Sequence, residues 1–426
     1  MEYGKVLRFH RVKQGLTQNQ LADGIISPAY LSKIENDQTV PTFEVLELLY
    51  ERLGLDFHDS SNSHPSKEKL KEWYEAIVFK DKEKARTLKD ELLQQKETHD
   101  NHHLYIFFEL FRIRYLLLES EIEEAYKAWK DVKQFRDTFD NKMAFYYHLC
   151  TGLLKYYRGD FDESYQELMQ SKHISNSINP ENWEFSDLYY LLALSTSQAN
   201  HISASVFYVN QALEIYQSHY DLAKSADCHI LQGINYSRLK NYAKALENLH
   251  LAKKIALQTR DKNQLRLVFI NIGTLESRIE NHEAAIENYE KSLEYYDSNS
   301  KYQNLDFLTT ILGLIVEHYR MKDTTGCLKW INEGKNILYD YPHKEFELHF
   351  EVFSKLIRKD SELESYLENE AIPFFQDKKE HIYVIRYSMF LADILEEQRM
   401  YKKSSFYLRL AIELLNKHSH LGGILL

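Results

Sequence analysis

One spacing governs this chain. A residue at an equivalent position recurs at Trp73, Ile113, Gly152, Ala193, Gly233, Gly273, Gly313, Val352 and Ala392, in steps of 40, 39, 41, 40, 40, 40, 39 and 40. So steady a step describes a stack of like supersecondary units, because a single globular core does not repeat its own pattern. The 426 residues also exceed what one ordinary core organises. Only 6 Pro and 13 Gly interrupt them, which favours long helices.

Each unit carries the same internal pattern. Gly233 is followed by Lys240, Ala245, Leu249 and Ala252, and Gly273 by Glu280, Ala285, Tyr289 and Ser292. Small residues at the anchor and at two later positions let two antiparallel helices approach closely. The larger residue sixteen positions on (Leu249, Tyr289) fills the space to the next hairpin. Turn residues separate the helices, as at Gly159-Asp160 and Asn200-His201. The pattern resembles the tetratricopeptide repeat with longer helices than its usual unit of about 34 residues. The expected fold is all-α, with a right-handed tetratricopeptide-like α-solenoid of about nine repeats. The units around Trp73 and Val352 keep the spacing and lose much of the composition, and the seventh needs one extra residue before Gly326.

The segment ahead of the array is different. Net charge is −11 overall, yet residues 3–33 hold Lys5, Arg8, Arg11, Lys13 and Lys33 against Asp23 alone. Such a local excess suits a phosphate backbone. Val6, Leu7 and Val12 mark a first helix that Gly15 stops. Thr17 caps a short second helix from Gln18, Ser27 caps a third with Pro28 at its first position, and Thr42 opens a fourth. Two short helices across a tight turn make a helix-turn-helix, whose second helix enters the major groove by its N-terminal end. Leu31 and Ile34 must face inward, which turns Ala29, Ser32 and Lys33 outward with Ser27 at the helix start. Gln18 and Asn19 reach phosphate or a base edge from the preceding helix. Arg11, Gly15-Leu16-Thr17-Gln18, Leu21-Ala22, Ser27, Leu31-Ser32, Ile34-Glu35 and Pro41 resemble the Xre/Cro-type helix-turn-helix. That resemblance implies a partly buried Arg11–Glu35 ion pair of structural role.

These features divide the chain into a reader (1–57), a polar linker (58–66) and the array (67–426). The linker reads as a hinge that lets the reader adjust relative to the array. Stacked hairpins leave a concave wall of first helices suited to an extended or helical peptide. Arg114, Ser277, Glu317, Arg386 and Asp393 fall on rows expected to line it, with Asn235 and Asn271 one position off. A side-chain amide both donates to and accepts from a peptide backbone, although interhelical bonding or plain exposure accounts for an Asn equally well. Arg114 suits an acidic ligand group or an internal ion pair.

Reader and array together resemble the RNPP family of Gram-positive quorum-sensing regulators, and its NprR-like branch in length. The resemblance implies a cytoplasmic receptor for a short signalling peptide, working as a homodimer or tetramer on a palindromic double-stranded DNA operator. It also implies, as an alternative, a Rap-like inhibitor that binds a response regulator of the sporulation phosphorelay. A third reading is a scaffold that recruits protein partners and senses no peptide. No cofactor, metal or catalytic residue is expected. His99, His102 and His103, with Asp100 among them and no Cys nearby, read as a polar interhelical loop, and no HExxH, GxxxxGK[ST] or GxSxG string occurs. Cys150, Cys228 and Cys327 are isolated, which fits a reducing compartment, and no apolar run approaches the ~18 residues a membrane span needs.

Overall fold

The computed structural model describes residues 3–55, 65–95, 101–296 and 304–417. Every regular element among them is helical. The chain forms two compact units, residues 1–212 and 213–426.

The first unit opens with four helices, α1 (Tyr3–Lys13), α2 (Gln18–Ala22), α3 (Pro28–Glu35) and α4 (Phe43–Arg52). Leu7, Leu21, Leu31, Ile34 and Leu49 close their shared core. Local chemistry sets the boundaries. Thr17 and Gln20 form a reciprocal capping box at the start of α2. Ser27 Oγ accepts from Tyr30 N at the start of α3, where Pro28 sits with no amide to satisfy. Three hairpins follow, Pro65–Val78 with Lys82–Leu93, His102–Leu118 with Ile122–Lys133, and Asn141–Tyr157 with Phe161–Ile178. Asn182–Gln198 and Ile202–Ser218 make the fourth pair. Pro65 and Ser66, expected in the linker, already belong to the first array helix. Residues 58–64 of that linker lie outside the described residues.

The second unit continues with Leu222–Arg238 and Tyr242–Thr259, then Lys262–Arg278 and His282–Leu293, then Asn304–Arg320 and Thr324–Asp340. In the eighth pair, Lys344–Arg358 faces a broken helix (Leu363–Tyr366, a π turn Leu367–Ala371, then Ile372–Asp377). His381–Glu397 and Tyr401–Lys417 form the ninth. All nine anchors fall in the first helix of a pair. The tetratricopeptide-like array therefore stands as read.

Close approach explains the anchors. A β-carbon on Gly233 would lie 2.6 Å from Leu249 Cγ, and one on Gly273 would lie 2.8 Å from Tyr289 Cδ1. The large side chain sixteen residues on thus occupies the space the glycine leaves. Tyr289 also reaches the next hairpin, 3.1 Å from the β-carbon position of Gly313. Where a serine follows twelve residues after the anchor, it ties the two helices directly. Ser164 Oγ donates to Gly152 O at 2.7 Å and Ser205 Oγ to Ala193 O at 2.6 Å. Seven residues after the anchor the backbone turns left-handed, at Ser120, Asn200, Lys240 and Glu280 among others. That conformation ends a helix and returns the chain antiparallel.

The seventh repeat departs from the sequence register. Its left-handed residue is Lys322, and Cys327 Sγ contacts Ile315 O. Both place the structural anchor at Ile315, two residues beyond Gly313. The true steps there are 42 and 37, from Gly273 to Ile315 and from Ile315 to Val352. Gly313 is small for another reason, to admit Tyr289 of the preceding hairpin. Glu317 consequently shares a register with Asn235, two residues after the anchor, rather than with Ser277.

Replacing Gly233 by Val forces a branched side chain into the space of Leu249. Overpacking of this kind costs about 1–3 kcal/mol. The urea midpoint of unfolding is expected to fall, and an unchanged midpoint would contradict the packing described.

Candidate functional site

The reader's recognition helix is set by a buried polar network. Arg11 Nε and Nη2 donate to the two oxygens of Glu35 at 2.6 and 2.9 Å, and Arg11 Nη1 donates to Leu16 O at 2.9 Å. Gln18 Nε2 donates to Glu35 Oε2 at 2.8 Å. A two-pronged guanidinium–carboxylate pair fixes both distance and plane, so α1, the turn and α3 hold one geometry. Leu31 and Ile34 face the core as expected, while Ser27, Ala29 and Lys33 are exposed and Ser32 half-buried. Asn19 is exposed beside them, and Gln18 is half-buried through its bond to Glu35.

The opposite face of α1 is docked on the array. Phe9 and His10 are buried although they lie outside the reader's own core. The Phe9 ring sits 4.7 Å from that of His102, 5.3 Å from Tyr105 and 5.2 Å from Phe135. Lys13 Nζ lies 4.5 Å over the Tyr105 ring, and Arg8 pairs with Asp137. The free adjustment expected of the reader gives way to a packed contact with the second repeat and the turn that follows it. An amphipathic first helix did not disclose this, because one apolar face satisfies the reader alone and Phe9 adds a second.

His102 belongs to this contact rather than to a metal site. Its Nε2 lies 3.0 Å from Thr138 Oγ1, whose proton goes to Phe135 O at 2.7 Å. The imidazole must therefore carry its proton on Nε2, which leaves the buried Nδ1 without a partner. His99 lies outside the described residues, and among these no group of three His, Cys, Asp or Glu side chains could hold a metal.

The residues expected to meet a peptide fall in different surroundings. Arg114 is committed inside the first unit, with bonds of 2.6 and 2.7 Å to Asp187 and 2.7 Å to Tyr74 Oη. In the second unit Asn235 is fully buried. Asn271 is half-buried, its Nδ2 donating to Leu267 O at 2.8 Å. Ser277 Oγ donates to Glu317 Oε1 at 2.7 Å and accepts from Arg320 Nη1 at 2.9 Å. Glu317 is buried and also meets His282 Nδ1 at 2.6 Å and Arg320 at 3.0 Å. Asp393 is exposed, its carboxyl pushed up by partial desolvation and by neighbouring Glu396 and Glu397.

Sequence reading missed a repeated arginine. Arg278 Nη1 donates to Ser237 Oγ at 3.1 Å as Arg320 donates to Ser277. Each links the end of one first helix to that of the preceding repeat. Arg278 lies five residues after Gly273 and Arg320 five after Ile315, so the signal was present in the sequence but hidden by the misplaced anchor. Burial with an unpaired Nε lowers the Arg278 guanidinium from its ordinary value.

A helix-turn-helix reader joined to tetratricopeptide-like hairpins defines a class of repeat-bearing DNA-binding regulators. Residues 7–59 match the helix-turn-helix family and residues 227–298 the tetratricopeptide repeat. The chain is 34% identical over 403 residues to the transcriptional activator NprA of Geobacillus stearothermophilus, across 93% of this chain and 98% of that one. The apo form of the quorum sensor NprR from B. thuringiensis has the same fold, with a TM-score of 0.68 at 20% identity over 82% of this chain and 98% of that one. NprR in complex with its cognate peptide NprX gives 0.62 at 21% identity, over 84% and 99%. The chain belongs to the NprA and NprR-like branch of the RNPP family. Among the described residues no helix is long and apolar enough to cross a membrane.

Truncating a fully buried Phe costs about 3–5 kcal/mol. Phe9→Ala should release α1 from the array, read as lost amide protection over residues 3–13; protection equal to wild type would refute the docking.

Acid should loosen the same contact. Burial, with His103, His10 and Lys5 nearby, holds the His102 imidazole at about 3, against ~6.5 in an unfolded chain. The open state therefore takes up the proton first. Stability from this group is complete above ~6.5 and is lost as pH falls from there towards 3. Protection factors of α1 should drop between pH 7.5 and 5, and His102→Gln should flatten that drop.

Proposed function

We propose that this protein is a peptide-responsive transcription regulator acting in the cytoplasm. The reader binds double-stranded DNA through Asn19, Ser27, Ala29, Ser32 and Lys33, with Gln18 bridging from Glu35 towards the backbone. The first helices of the second unit receive a short signalling peptide, for which Asn271 supplies a polar contact, and Ser277 and Glu317 belong to the polar cluster that holds Arg320. Asn235, Asp393 and, in the first unit, Arg114 remain further candidates.

The outward row on α3 carries the DNA part of this reading. It sits on a frame that the Arg11–Glu35–Gln18 network makes rigid, and a preorganised helix reads base edges without a further ordering cost. Full-length kinship with a protein named as a transcriptional activator supports it. The peptide part is supported by kinship of fold with NprR, which has been solved with its cognate peptide. Asn271 is a poor helix former in mid-helix whose Oδ1 takes no hydrogen bond among the described residues. Two readers of a homodimer or tetramer then contact half-sites of a palindrome ~34 Å apart or further. Peptide shifts the balance between assemblies through its differential affinity for them.

Footprinting at moderate salt should reveal one palindromic operator. Ala at Ser32 or Lys33 should weaken it by roughly 1–3 kcal/mol, with a shallower salt slope for Lys33→Ala alone. Protection without sequence preference would sink the DNA part. Calorimetry with peptides encoded beside the gene should show binding that Asn271→Ala weakens about tenfold, near the worth of one hydrogen bond. Equal affinity would remove Asn271 from the site.

A further inference from the structure

The far end of the second unit holds a positive charge with no internal answer. Arg386, on the first helix of the ninth repeat, keeps 7% of its surface open. No ion pair or hydrogen bond of its side chain is found among the described residues; the Tyr383 ring lies 6.0 Å from its Cζ. Phe390 lies one turn further along the same face, and its ring is 6.0 Å from that of Tyr319 on the seventh repeat. Tyr319 adjoins Arg320, so Arg320 stands on the seventh-repeat helix that packs against the ninth. The Arg320 charge disfavours, and the Glu317 carboxylate favours, the charged Arg386 guanidinium.

The anions nearby do not balance them. Glu317 is the one buried carboxylate of the cluster, and it is already shared among Ser277, His282 and Arg320. Asp393, two turns beyond Arg386 on the same helix, is exposed and forms no ion pair with it. Arg320 Nε is buried without an acceptor. A cation taken from water without a counter-charge is strongly disfavoured, and a guanidinium is shaped to hold a carboxylate by two parallel bonds. We infer that Arg386 and Arg320 form a carboxylate subsite, filled by an acidic side chain or the free C-terminus of the bound peptide.

This subsite rests on the peptide-sensing reading above. It also gives Ser277 and Glu317 a different part, as the scaffold that aims Arg320 rather than as groups that grip the peptide backbone.

The test uses the full-length protein and four heptapeptide libraries, amidated or free at the C-terminus, with or without one aspartate. Competition binding should favour the carboxylate-bearing libraries by roughly 10–100-fold over the neutral amidated one, as expected for charged hydrogen bonds. Comparing the amidated aspartate library with the neutral free-acid library tells side chain from terminus. Arg386→Gln should abolish the preference, so that all four libraries bind alike, while Arg386→Lys retains part of it. Equal binding of all four libraries by wild-type protein overturns the subsite even if Arg386→Gln does not fold. A preference that survives in folded Arg386→Gln overturns it as well. Absence of binding by any library removes the peptide-sensing reading itself, and the subsite with it.

Discussion

The close approach of paired helices is the constraint on which the array depends. Gly152, Gly233 and Gly273 leave space that the side chain sixteen residues on takes up, and Tyr289 shows one ring serving two hairpins at once. Each unit is thereby stacked on its neighbour by side chains that cannot be enlarged on one side or removed on the other without loss of contact. The serine hydroxyls of Ser164 and Ser205 add directional bonds at the same crossings. A repeating crossing distance is what turns a repeating sequence into parallel rows of first helices, and those rows bring Ser237, Ser277, Arg278 and Arg320 into one ladder.

The reader follows another logic. Its small core would leave α3 loosely aimed, but Glu35 gathers Arg11 and Gln18 in a buried network and fixes the helix that faces outward. The docking of Phe9 then ties that unit to the second repeat through a cluster of rings around a neutral histidine. Such a contact is strong in apolar area and weak towards protonation, since charging His102 would leave a cation among aromatic side chains with no acid beside it. The orientation of the outward row on α3 is thus set by packing on both sides of α1.

The polar clusters of the second unit show how burial changes the meaning of a residue. Glu317 and Ser277 looked like wall residues available to a guest, yet their oxygens are occupied by Arg320, His282 and each other. Arg386 stood on the same expected wall and forms no ion pair or hydrogen bond of its side chain among the described residues. Residue type and row do not distinguish these cases. Only the neighbouring repeats do, because Ser277 and His282 reach Glu317 from the repeat before it.

Periodicity, capping residues and the helix-turn-helix string determined the number of repeats, the boundaries of α1 to α4 and the outward side of α3, because those depend on contacts within one helix or one hairpin. The seventh anchor was misplaced for an instructive reason: Gly313 is small on behalf of Tyr289 in the preceding hairpin, and a spacing rule cannot tell which neighbour a small residue serves. The docking of Phe9, the closed Arg114–Asp187 pair and the unanswered charge at Arg386 were decided by tertiary structure alone. Each depends on which distant side chains share a dry space, and that follows from how repeats stack rather than from the pattern within any one of them.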